Sequence, residues 1–320
     1  MIINTKPSPF VFLTLSFALM ALVGCGGGGS SAEDNSAVVN STATSTVSTS
    51  GVLCNLILSA FNSSPSVNAT STANWSCNTS ARILSANGLP DHAVGVFPNA
   101  NNPNSIRTQS VSASLRLAPV ASSTITQRGG PLGDTGYILN GVKVDAATAG
   151  SCDNTGTACG LTNNTGAWSI EALGQTAFNF GTDSNNAHVQ PNGAYHYHGI
   201  PEGFVTAQGK GTAMTLIGWA ADGFPIYARY GYNIANDASS GIKLVTSSYR
   251  LKSTVGVNRP STATYAMGTF SQDYEYVASL GDLDECNGRT GVTPEFPAGI
   301  YHYFATNTYH YLQRCVKGTL

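Results

Sequence analysis

The sequence predicts an all-β or β-rich protein with few short helices, in which a sandwich or barrel-like domain carries long disulfide-stapled loops and an internal pseudo-repeat. Three observations predict it. Apolar residues seldom recur at helical spacing; instead, short alternating or β-branched runs at 111–117, 137–144, 214–219 and 274–277 are separated by Gly, Pro, Asn and Asp. The seven cysteines are spread along the chain, and none lies in a Cys-x-x-Cys knuckle of the kind that holds zinc. A Tyr-His-Tyr segment occurs twice, at residues 195–197 and 301–303.

The chain starts with the three parts of a secretory signal over residues 1–24. Lys6 supplies the positive end, residues 10–22 form an apolar run, and small residues precede Cys25. That run is shorter than the roughly 20 apolar residues a spanning helix needs, so it reads as a cleaved signal. Leu22-Val23-Gly24-Cys25 resembles the bacterial lipobox, which implies a lipid on Cys25. Gly26 follows where an Asp would signal inner-membrane retention, so the resemblance implies the outer membrane. Residues 25–50 are mostly Gly, Ser, Thr, Ala and Val, without apolar period. They read as a flexible tether with a root-mean-square reach of about 25–30 Å.

Residues 51–320 remain for folding, divided into an N-terminal subdomain or extra strands over 51–127 and a main domain over 128–320. The chain is 42% hydrophobic but only 10% charged, with 35 Gly and a formal charge of −2, so its surface is polar rather than ionic. Without basic clusters it offers nothing to a phosphate backbone, which excludes a nucleic-acid partner. No Gly-x-Ser-x-Gly elbow, dinucleotide fingerprint or phosphate loop occurs, which argues against serine-hydrolase chemistry and a nucleotide cofactor. With Cys25 assigned to lipid, six cysteines allow fifteen disulfide pairings. Sequence proximity favours Cys54 with Cys77, Cys152 with Cys159, and Cys286 with Cys315.

The repeat carries the chemistry. Pro191, Gly193, Tyr195, His196 and Tyr197 recur in order as Pro297, Gly299, Tyr301, His302 and Tyr303. Upstream, Asp183, Asn186 and His188 are matched by Asp284, Asn287 and Arg289. Two related loop-and-strand units are expected, the usual route to a pseudo-symmetric site. On a strand, His196 and His198 point to one face with Cα atoms about 6.5 Å apart, close enough to share one metal ion. His188 can fold back as a third ligand, leaving one position open.

Three imidazoles suit zinc, copper or iron, and suit calcium poorly. The competing reading is a half-buried strand whose histidines only hydrogen-bond to loops. His302 is expected as a fourth ligand or as a donor that orients one. Arg289 and Phe304 replace the partners of His188 and His198, so if the units meet they form one site. Asp183 and Asp284 read as Asx turns. Asp222-Gly223 reads as a hairpin turn, or as a carboxylate delivered toward the histidines, with Glu171 a weaker candidate of the same kind.

Tyr195-His196-Tyr197-His198 resembles the signature of the YHYH-domain family of exported proteins. Leu139-Asn140-Gly141-Val142, Asn186-Ala187-His188, residues 222–227, residues 283–288 and Tyr301-His302-Tyr303 extend the resemblance from about residue 130 to the C-terminus. The family pattern implies His where Arg289 stands and Pro where His310 stands.

Three functions compete. The first is an envelope lipoprotein binding a transition metal, zinc or copper, through His188, His196, His198, His302 and Asp222. The second is a metal-dependent hydrolase or oxidoreductase with Asp222 or Glu171 as base. The third is a metal-free module whose aromatic strands contact a glycan, a small molecule or a protein.

Overall fold

The computed structural model describes residues 51–162 and 164–320. The signal segment, Cys25 and the tether lie outside the described residues. Strands β1 (Leu56–Asn62), β2 (Ala69–Cys77), β3 (Ala81–Ala86) and β4 (Val111–Arg116) form an antiparallel meander. Along β2, Ser71, Ala73 and Trp75 are buried while Thr70, Thr72 and Asn74 face solvent. This is the period-two pattern of a strand with one covered face.

The chain continues through β5 (Ala121–Gln127), β6 (Gly136–Ile138) and β7 (Lys143–Val144). A small three-stranded sheet follows, made of β8 (Ser151–Cys152), β9 (Cys159–Gly160) and β10 (Trp168–Ser169). Next come β11 (Ala187–Val189), β12 (Tyr195–Tyr197), helix α1 (Glu202–Ala207), β13 (Thr215–Ala220) and β14 (Pro225–Ala228). A hairpin of β15 (Tyr230–Ile234) and β16 (Asp237–Leu244) precedes β17 (Tyr249–Leu251) and β18 (Tyr274–Tyr276). The chain closes with β19 (Gly288–Gly291), β20 (Ile300–Ala305) and β21 (Cys315–Gly318), the last pairing with β5.

Eight strands make the central sheet, in the order β11-β12-β7-β6-β13-β14-β20-β19. It is an open sheet. β13 is buried at every position, as a strand covered on both faces must be. The N-terminal meander packs over it in a sandwich and shares one apolar core with it. Trp75 Nε1 donates to the Leu139 carbonyl at 2.8 Å, and the Arg82 guanidinium lies 3.3 Å from the ring centre of Trp219. Burial pulls the Arg82 pKa down to about 9, and the Trp219 ring face offers this buried cation a partner.

The run at 137–144, continuous as a sequence pattern, is a hairpin. Gly141 takes a φ of 81° behind Asn140 and reverses the chain between β6 and β7. The same turn recurs between β13 and β14, where Gly223 takes a φ of 93° behind Asp222. The duplication is therefore larger than the sequence shows. One unit is β6-β7-β12-β11 and the other is β13-β14-β20-β19. Each joins its hairpin to a parallel neighbour and then to an antiparallel edge strand. β6 and β13 run antiparallel at the middle, with Tyr137 opposite Trp219 on the pseudo-twofold axis.

The cysteines pair as proximity favours: Cys54–Cys77, Cys152–Cys159 and Cys286–Cys315. The last ties the loop before β19 to β21.

Candidate metal centre

The loop that enters β11 is shaped by Asp183. Its carboxylate accepts hydrogen bonds from the Asn185 backbone N–H at 2.9 Å, the Gly95 N–H at 3.0 Å and the Tyr195 hydroxyl at 2.8 Å. Asn186 then takes a left-handed φ of 56°, a conformation Asn tolerates better than most residues, and turns the chain into β11. β11 pairs antiparallel with β12 so that His188 stands opposite His196. His198 follows two residues after His196 on the same face.

The three imidazoles converge through their Nε2 atoms. His198 Nε2 lies 3.0 Å from His196 Nε2 and 3.1 Å from His188 Nε2. The opposite ring nitrogens fix the tautomers. Nδ1 of His188 reaches the Phe180 carbonyl at 2.9 Å, and Nδ1 of His196 reaches the Ala194 carbonyl at 3.2 Å. A carbonyl only accepts, so each Nδ1 carries the proton and each Nε2 presents a lone pair inward. Nδ1 of His198 is buried with no protein partner. Burial is the main force holding all three pKa values below the ordinary histidine value, far below for His196 and His198. The rings are neutral near pH 7 and ready to ligate.

With its Nδ1 unpartnered, His198 can protonate Nε2 and donate to a neighbouring ring, whereas a cation at the centre would take Nε2 lone pairs from all three. Nitrogens at 2.0–2.1 Å from one tetrahedral zinc ion would lie about 3.4 Å apart, a few tenths of an ångström wider than observed. The donor set could hold a transition-metal ion. Among the described residues, these three histidines are the group of His, Cys, Asp or Glu whose ligand atoms come close enough to share an ion.

The motif tyrosines do other work. Tyr195 is bound to Asp183. The Tyr197 hydroxyl lies 2.6 Å from His92 Nε2 and accepts from Asn140 Nδ2 at 3.2 Å. His92 Nδ1 faces the Ala93 carbonyl, so its Nε2 accepts from Tyr197. The one histidine far from the repeat in sequence thus supports the motif from the N-terminal segment.

The other expected site residues lie elsewhere. His302 is in the second unit, opposite Arg289 and between Tyr227 and Phe304, so it is neither a fourth ligand nor a donor to the triad. The units meet through β6 and β13, and this places their histidine hairpins at opposite edges of the sheet. Asp222 is buried and accepts from the Tyr303 hydroxyl at 2.6 Å and the Gly318 N–H at 2.8 Å. It serves as a turn and an anchor. Glu171 is held by Arg314 through two hydrogen bonds of 2.7 and 2.6 Å and by the Ser271 hydroxyl. Neither carboxylate faces the triad.

A carboxylate that the sequence reading passed over does share the triad's cavity. The triad opens into a space of about 820 Å³, and Asp145, Phe180, Gln190 and the 101–104 loop are among its walls. Asp145 follows β7, whose Lys143 stands opposite His196 in parallel register. Burial pushes its carboxyl up to about 6, against hydrogen bonding from the Gly130 N–H and the charge of Lys143. Lys143 Nζ is 3.8 Å away, and Gln190 Nε2 donates at 3.2 Å.

Comparison with known proteins agrees with these motifs. The family model described as YHYH protein matches residues 112–318. The chain belongs to that family. No curated protein and no solved structure matches it.

Proposed function

We propose that this protein binds one transition-metal ion, zinc or copper, through His188, His196 and His198. The observation that carries the reading is the convergence of three Nε2 atoms, from two buried histidines and one partly buried one, with the His188 and His196 lone pairs aimed inward by Nδ1 hydrogen bonds to carbonyls. The test is elemental analysis of protein expressed with zinc or copper. One ion per chain is expected, and none in the His196→Ala/His198→Ala variant. Wild-type protein free of metal after that expression overturns the reading.

The protein works outside the cytoplasm. Three disulfides suit an oxidising compartment, and among the described residues no helix is long and apolar enough to cross a membrane. Its attachment is a lipid on Cys25, with residues 26–50 as tether, holding the domain at the outer membrane. Cys25→Ser is expected to move the protein from the membrane fraction to the soluble one. Unchanged partitioning would remove the anchor from the proposal and leave the metal site standing.

A further inference from the structure

The metal reading leaves one coordination position unfilled, and the cavity around it has a definite chemistry. Three protein ligands with an open fourth position characterise catalytic rather than structural zinc sites. Asp145 is the one carboxylate in the cavity wall, and no lysine or arginine side chain lines it among the described residues. Both Asp145 oxygens are oriented, one by the Gly130 N–H and the other by Gln190. The second unit supplies an internal control. Aligning the Asn140 and Asp222 turns puts Tyr227 where Asp145 stands, so the unit without the triad also lacks this carboxylate.

We infer that the site, taking the metal reading as given, is a hydrolytic centre in which Asp145 is the general base. Its substrate is an uncharged ester or amide. No cationic side chain lines the cavity to hold an anionic substrate, Lys143 being paired with Asp134 and Asp145, and a cationic substrate would meet the ion. Asn101, Asn104, Thr162 and Asn164 stand among walls that are otherwise largely apolar, which suits a neutral acyl compound.

With an ion held by His188, His196 and His198 to polarise a water, that water would give a proton to the Asp145 carboxylate while its oxygen bonds to the acyl carbon. The ester C–O or amide C–N bond then breaks, and the proton on Asp145 leaves with the departing alcohol or amine. No redox partner is required.

The experiment uses the full chain loaded with zinc, p-nitrophenyl acetate as an uncharged ester, and acetohydroxamate, added as the neutral acid, as a metal-chelating probe followed by calorimetry. Asp145→Asn is expected to retain one zinc per chain and lose roughly 100-fold or more in kcat with little change in KM. Asp145→Glu should recover part of the loss. Acetohydroxamate should bind the wild type and fail to bind His196→Ala/His198→Ala. An Asp145→Asn variant as fast as wild type overturns the assignment, as does zinc-loaded wild type no faster than the double-histidine variant. Protein that takes up no zinc overturns the metal reading beneath it, so the two failures are told apart by the zinc content.

Discussion

The unit from Gly136 to His198 and the unit from Gly218 to Phe304 repeat one scaffold hydrogen bond by hydrogen bond. Tyr195 donates to Asp183 as Tyr301 donates to Asp284. Tyr197 meets Asn140 as Tyr303 meets Asp222. Asn186 and Asn287 both take left-handed φ values, and His196 and His302 both set Nδ1 against the carbonyl two residues earlier. The faces above these scaffolds differ. The first carries three converging imidazoles. The second carries Arg289, which donates to the Tyr232 carbonyl at 2.8 Å and lies 5.2 Å from the Phe304 ring centre, and leaves His302 Nε2 buried without a partner. In the motif, the tyrosines with their Asp and Asn partners hold the strand, while the histidines are free to serve chemistry.

That division is breakable at its anchors first. Asp222→Ala strips the Tyr303 hydroxyl and the Gly318 N–H of their acceptor, so a loss of about 3–5 kcal/mol is expected in urea unfolding. The matching change Asn140→Ala removes a neutral group and should cost about 1–2 kcal/mol. Equal losses would show that the carboxylate is no stronger an anchor than the amide.

Acid provides the next test. Burial holds the His302 pKa at about 4, below the ordinary 6.5. The unfolded chain therefore takes up a proton at pH values where the folded one does not. Stability from this group is complete above pH 6.5 and falls by about 3 kcal/mol as pH drops to 4. His302→Phe should flatten that part of the stability curve in metal-free protein. A curve unchanged by the substitution would mean that His302 is protonated alike in both states.

Metal should act on one unit only. At a free concentration of 100 times Kd, an ion that binds the folded state adds about 2.7 kcal/mol. His302→Ala should keep that increment and His196→Ala should lose it, as thermal unfolding would record. Loss of the increment in His302→Ala would join the two units into one site. The smallest effect expected is a gain: Arg289→His with Phe304→His places three histidines on the second scaffold and should raise the metal content above one ion per chain, at lower affinity. Metal content unchanged at one ion would show that the second face cannot be converted by these side chains alone.

Much was legible in the chain because its signals are local. The β class followed from short runs broken by turn residues, and strands Val111–Arg116 and Tyr274–Tyr276 fall where those runs lie. The disulfides followed from proximity, and the triad followed from strand period together with an upstream histidine able to fold back. The run at 137–144 was misread because its Asn-Gly turn sits inside apolar residues that look continuous. The roles expected of His302 and Asp222 failed because a repeat in sequence states that two units are alike, not how they meet.

Asp145 was invisible for a related reason. A single Asp after a two-residue strand has no spacing relation to His196, and the two become neighbours only when β7 lies parallel to β12. Sequence alone thus determined the strands, the turns, the disulfide pairs and which hairpin bears three histidines, since each depends on residues close in the chain. Tertiary structure alone decided that the hairpins occupy opposite edges, that the three histidines which converge all belong to one unit, and which carboxylate shares their cavity. Those depend on strand order, and strand order is set by burying the central apolar strands between two layers, a property of the whole sheet.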